Sequence, residues 1–134
     1  MGRILALDYG TTRIGVAISD ALRITAQPLA VVPSEEFEER LRELTKDRDI
    51  DLVVVGLPTS LDGSEGPSAA GARRLAERAG AITGVSVEMV DERFTTTAAE
   101  RVLIEGNVRR RRRKEVVDKV AAAVILQGYL ETLR

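Results

Sequence analysis

Three carboxylates stand where a folding chain ordinarily avoids charge. Asp8 closes the apolar run Ile4-Leu5-Ala6-Leu7, Glu92 follows the run Val85 to Val90, and Asp118 falls in the first turn of the last apolar helix. Clustered carboxylates repel one another, and burial makes their ionisation costlier still. A divalent cation relieves both costs, and hard cations such as Mg²⁺ take oxygen ligands. Two such ions about 4 Å apart can activate a water and stabilise the leaving oxygen of a phosphodiester. Each acid also has a plainer role. Asp118 suits the positive end of a helix dipole, Glu92 an exposed ion pair, and Asp8 a turn. Sequence spacing alone does not decide between these roles.

The first acid also belongs to a second pattern. In "ALDYGTTRIGVAISD" it precedes a Gly-Thr-Thr turn between two apolar strands. Gly10 gives such a turn its backbone freedom. A turn of this kind can approach a phosphate, so a nucleotide-binding site competes with a metal site at Asp8.

Composition narrows the chemistry. The 134 residues contain no cysteine and no histidine, and 44% are hydrophobic. Disulfides, cysteine nucleophiles and thiolate zinc sites are excluded. A general base must be a carboxylate, a lysine, a tyrosine or a metal-bound hydroxide. With two Tyr and two Phe, an aromatic platform for stacking bases is improbable. The length fits one domain spanning 1–134. Asp8 interrupts the first apolar run too early for a signal peptide, and Val120 to Leu126 is too short to span a bilayer. The expectation is a cytoplasmic protein with no membrane partner.

The net charge of −1 hides an asymmetry, because Arg109, Arg110, Arg111, Arg112, Arg113 and Lys114 are consecutive. Setting those six aside leaves 14 basic against 21 acidic residues, a balance of −7. An acidic body with one basic strip points to a polyanion reaching one face. A solvated loop is the plainer reading.

The elements that must position these groups follow from periodicity and punctuation. Strands are expected at 3–8, 13–19, 28–32, 52–57 and 85–90. The uniformly apolar Leu52 to Leu57 reads as a central strand covered on both faces. Ser34 is the expected N-cap of a helix with the stripe Phe37, Leu41 and Leu44. A glycine-rich loop containing Gly63 leads to a helix from Pro67 to about Ala79, stopped by Gly80. Thr97 and Glu100 have capping-box spacing for a helix to about Glu105. The last helix is expected at about 115–132, buried on most sides over Val120 to Leu126. The sum is an α/β domain with a central mixed five-stranded sheet and helices on both faces.

Four motifs, in order, resemble the YqgF family, also called RuvX or Holliday junction resolvase-like proteins. They are "ALDYGTTRIGVAISD", "VVGLPTSLDGSEGP", "VDERFTTTAAE" and "DKVAAAVILQGYL". The resemblance implies a ribonuclease H-like fold related to RuvC. It implies a nuclease that matures the 5′ end of the 16S rRNA precursor, or a resolvase of four-way DNA junctions. Asp8, Glu92 and Asp118 become the ligands of Mg²⁺ or Mn²⁺, as two ions. Gly10, Thr11 and Gly63 shape backbone near the phosphate, and Arg93 contacts substrate. Where the family often has Lys, this chain has Thr12, which transfers a phosphate contact to Arg13 or loses it. The basic run Arg110, Arg111, Arg112, Arg113 and Lys114 steers structured RNA or branched DNA toward the carboxylates. Monomer and homodimer both remain open, although symmetric cutting of a junction calls for paired sites.

Two other classes fit parts of the pattern. The turn Asp-x-Gly-Thr-Thr also resembles the first phosphate motif of actin-like and sugar-kinase ATPases, which clamp ATP between two such domains. A non-catalytic nucleic-acid-binding module would retain the acids without metal.

Overall fold

The computed structural model describes residues 2–58, 65–91 and 110–133, with 110–119 described as helix backbone alone. Gly63, Glu92, Arg93 and the expected helix from Thr97 to Glu105 lie outside the described residues, as do the side chains of Arg110 to Lys114 and Asp118.

The strands are β1 (Arg3–Asp8), β2 (Arg13–Ser19), β3 (Ala26–Pro33), β4 (Ile50–Leu57) and β5 (Ser86–Asp91). The helices are α1 (Phe37–Thr45), α2 (Pro67–Thr83) and α3 (Arg110–Thr132). The sheet order is β3-β2-β1-β4-β5. β1 pairs antiparallel with β2 and parallel with β4, and β4 pairs parallel with β5. The mixed five-stranded sheet is thus as expected from the sequence.

Alternation along the strands builds two cores. Leu5 and Leu7 of β1, with Val53 and Val55 of β4, meet Phe37 and Leu41 of α1 and Ala72, Leu75 and Ala79 of α2. Ile4 and Ala6, with Ala17 and Val54, meet Ala122, Leu126 and Leu130 of α3. Odd positions of β1 therefore face α1 and α2, and even positions face α3. β4 contributes to both cores, which explains its apolar stretch from Leu52 to Val55.

Several local expectations are corrected. β3 is longer than 28–32 and includes both Pro28 and Pro33. It is an edge strand, where a missing N–H is tolerated, and its ladder shifts register beside Pro28. Ser34 caps no helix through its side chain. It opens a 3₁₀ turn, Ser34–Glu36, and its hydroxyl donates to the Thr11 carbonyl at 3.1 Å. α2 continues through Gly80 to Thr83 and stops at Gly84, which adopts φ +73° and donates its N–H to Gly80 O at 2.8 Å. α3 begins at Arg110 rather than about 115, so Arg110 to Lys114 are helical rather than loop and position 118 falls beyond the first turn, consistent with the high helix propensity of Arg and Lys. Within Val120 to Leu126, only Ala122, Ile125 and Leu126 are fully buried, because α3 lays one side on the sheet.

Candidate functional site

Asp8 is the last residue of β1, and its even number places it on the α3 face. Across the ladder it pairs with Gly15 of β2. On the other side, one step beyond the pair Leu7–Val55, it lies beside Gly56 of β4. Gly56 in turn pairs with Val90 of β5, which packs on the α3 side. The half-buried carboxylate thus stands at the sheet rim between two residues that have no side chains.

The turn beyond it is held by backbone. A Cβ on Gly10 would lie 2.4 Å from the Arg13 carbonyl oxygen, so close approach requires glycine here. Its φ is not in the left-handed region, which corrects the expectation of special backbone freedom. Ser34 N–H donates to Thr12 O at 2.9 Å, tying the turn to the end of β3. Arg13 opens β2 at this same rim, and Thr11 is exposed on the turn.

α3 is placed by two side chains. The Gln127 amide accepts from Ala26 N–H at 3.0 Å and donates to Ile24 O at 3.2 Å, beside β3. Tyr129 donates its hydroxyl to Glu88 of β5. Residues two apart on a helix point about 200° apart, so the axis there straddles the central strand. Burial, then the hydrogen bond to Glu88, pushes the Tyr129 phenol up to about 12.

The Gln127 anchor lies at the rim opposite Asp8, because Ala26 pairs with Ser19, whose hydroxyl accepts from Ile4 N–H. From that level β1 rises about 13 Å to Asp8, at roughly 3.3 Å per residue. From Gln127 back to position 118 the helix backbone covers about 13.5 Å. Ala122, buried against Ala6 and Ala17, fixes the direction of that travel. The helix is therefore long enough to span from the Gln127 anchor toward the rim where Asp8 ends. Residues 110–114 continue the helix roughly 6–12 Å farther.

Among the described residues, no three acidic side chains form a metal cluster. β5 ends at Asp91, and Glu92 lies outside the described residues.

One feature of this rim was not legible from motifs. On the α2 face a cleft of about 210 Å³ is lined by Tyr9, Thr11, Ile14, Ser34, Arg74 and Arg78, with Gly71 and Leu75 at its floor. The odd number of Tyr9, shared with Leu5 and Leu7, was the available signal, together with the i,i+4 spacing of the two arginines.

The family model described as "RuvX: Holliday junction resolvase" matches residues 2–132. The chain belongs to the RuvX family. Similar relatives include the "Putative pre-16S rRNA nuclease" of Endomicrobium trichonymphae, 44% identical over 98% of this chain and 96% of that protein. A relative of the same name from Bacillus cytotoxicus is 47% identical over 97% of this chain and 98% of its own length. Thermus thermophilus RuvC, solved with a Holliday junction substrate, superposes with a TM-score of 0.59 at 16% identity, covering 98% of this chain and 96% of RuvC. The fowlpox virus Holliday junction resolvase gives a TM-score of 0.53 at 16% identity, over 97% of this chain and 99% of the resolvase. The RuvX fold seen here is thus the ribonuclease H-like fold of the RuvC resolvases. No helix of the described residues is long and apolar enough to cross a membrane.

Proposed function

We propose that this RuvX protein is a metal-dependent nuclease that hydrolyses phosphodiester bonds in structured nucleic acid and processes the 5′ end of the 16S rRNA precursor. The observation that supports it most is the rim itself: Asp8 stands between Gly15 and Gly56, on the face crossed by the helix that bears Asp118. Near-full-length relatives named for pre-16S rRNA nuclease activity favour the RNA substrate.

The donors fit a hard divalent ion. With no Cys or His in the chain, Asp8, Glu92 and Asp118 offer oxygen alone, the preference of Mg²⁺ and Mn²⁺. Two such ions, when bound, supply charge neutralisation and water activation for phosphodiester hydrolysis. The chain's own groups do the rest. Thr11, Arg13, Arg93 and the backbone of Gly10 and Gly63 position the phosphate. Arg110, Arg111, Arg112, Arg113 and Lys114, on the turns of α3 that precede Asp118, draw the polyanion toward the rim.

The test is cleavage of a 16S precursor fragment carrying its 5′ leader, with Mg²⁺ or Mn²⁺, by the parent and by Asp8→Asn. The parent cuts at the mature 5′ end and the variant does not. Equal cutting by both proteins sinks the reading. A second reading, resolution of four-way DNA junctions by a homodimer, is favoured by the family description and the RuvC-like fold. The same two proteins on a synthetic junction separate the readings, since symmetric paired cuts require it and leader trimming does not.

A further inference from the structure

The cleft on the α2 face has no role in the chemistry above, yet it opens at the same rim. Asp8 and Tyr9 are consecutive and point to opposite faces of the sheet. The β1–β2 turn is therefore the ridge between the carboxylate and the cleft. A Cβ on Gly71 would come within 2.2 Å of the Tyr9 ring, so the ring lies directly on the α2 backbone and forms one wall. Ser34, on the cleft lining, donates to the Thr11 carbonyl at 3.1 Å and so holds the turn against the cleft.

The charges are informative. Neighbouring arginines are neutralised: Arg73 grips Glu65 in a bidentate pair at 2.7 and 2.8 Å, and Arg42 meets Glu38 at 2.9 Å. Arg74 and Arg78, one turn apart on α2, form no ion pair with any described residue. Arg78 instead lies over the Phe37 ring, 5.1 Å from its centroid. Two guanidiniums with no carboxylate partner among the described residues, beside hydroxyls and an aromatic ring, match a backbone phosphate and an adjoining base.

We propose that this cleft is a second nucleic-acid contact. It holds the single strand flanking the cut, with Arg74 and Arg78 on its phosphates and Tyr9 and Thr11 at the ridge over which it passes from Asp8. The proposal rests on the nuclease reading only for the origin of the strand.

The experiment measures binding of a short fluorescent single-stranded RNA to the full chain in EDTA, across a salt titration. Arg74→Gln with Arg78→Gln should weaken binding roughly tenfold or more. It should also flatten the slope of log K against log salt by about 1.4, or about 0.7 per phosphate contact. Arg78 also covers Phe37, so Arg74→Gln alone, expected to flatten the slope by about 0.7, decides the matter if the double variant does not fold. An unchanged slope in the folded variants overturns the proposal. So does a parent that binds no RNA. A parent that binds through these arginines but cuts neither precursor nor junction keeps the cleft and sinks the nuclease reading instead.

Discussion

The acids at the two rims of the sheet stand in different surroundings. At the rim away from Asp8, the carboxylates serve the fold. Asp51 accepts from Gly2 N–H at 2.8 Å and pairs with Arg23, whose Nε donates to Gly2 O at 2.8 Å. Asp20 accepts from Ile24 and Thr25 N–H at 2.7 and 3.0 Å. Each acid there closes a turn or pins a terminus. At the other rim, Asp8 ends β1 between Gly15 of β2 and Gly56 of β4. The lesson is that position at a strand end does not separate these acids, whereas their cross-strand neighbours do.

The largest expected effect breaks that comparison directly. Asp8→Asn should cost several kcal/mol of transition-state stabilisation, or roughly 100- to 1000-fold in cleavage rate, with little change in melting temperature. Asp51→Asn should do the reverse, keeping cleavage and losing about 1 kcal/mol of stability. Paired rate assays and thermal melts check both. If Asp51→Asn impairs cutting as severely as Asp8→Asn, the division of labour between rims is wrong.

Next in size is the helix that joins the two rims. Leu126 is fully buried between Ala122 and Leu130 in the α3 core. Leu126→Ala should destabilise by about 2–5 kcal/mol, the range for a leucine cavity, measured by denaturant unfolding. Since α3 also carries the Asp118 motif toward Asp8, residual cleavage should fall with the folded fraction. A stable Leu126→Ala protein would mean that α3 is not held by this stripe.

How much of this was legible in the sequence depended on whether one local pattern decided the outcome. β1, β2 and β4 follow from apolar runs whose lengths are those of strands, β5 from the alternation of Val87 and Met89 with polar residues, and the rim position of Asp8 from the run it ends. The glycine neighbours were not legible, because pairing register is not written in either strand alone. Ser34 has the residue type of a cap, but the turn at Thr11 competes for its hydroxyl and wins. Gly80 looked like a stop because glycine is a poor helix former, while the positive φ falls at Gly84. The basic run looked like loop by charge alone, although its propensity is helical. Arg74 and Arg78 were hidden among charges on an amphipathic helix, and their place on the lining of one cleft, with no acidic partner among the described residues, sets them apart.

A smaller effect sharpens the contrast through Tyr129. Its phenol is held neutral by burial and by Glu88, at about 12 against an ordinary 10.0. Below pH 10 both folded and unfolded chains keep the proton, so this contribution is present in full. Between about 10 and 12 the unfolded phenol ionises first, and stability falls. Tyr129→Phe should therefore lose about 1 kcal/mol at neutral pH and show a shallower alkaline decline than the parent. Identical alkaline curves would remove Tyr129 from the positioning of α3.

The finest test concerns Asp20, on the turn beside the Gln127 anchor. Donation by Thr25 N–H, against an opposing effect of desolvation and with help from Ile24 N–H, holds its carboxyl below the ordinary 3.8. A lowered carboxylate stabilises the fold above its unfolded value, and that contribution disappears as pH falls toward the folded one. The parent should thus lose stability below about pH 4, and Asp20→Asn should show a flatter acid limb with cleavage intact at neutral pH. The carboxylate is exposed, so high salt should shrink the difference. An acid limb unchanged by the substitution would mean that the turn is closed by its backbone bonds alone, Asp20 N–H to Thr25 O and Arg23 N–H to Asp20 O. The structural rim would then depend on Asp51 and Ser19 rather than on a second carboxylate.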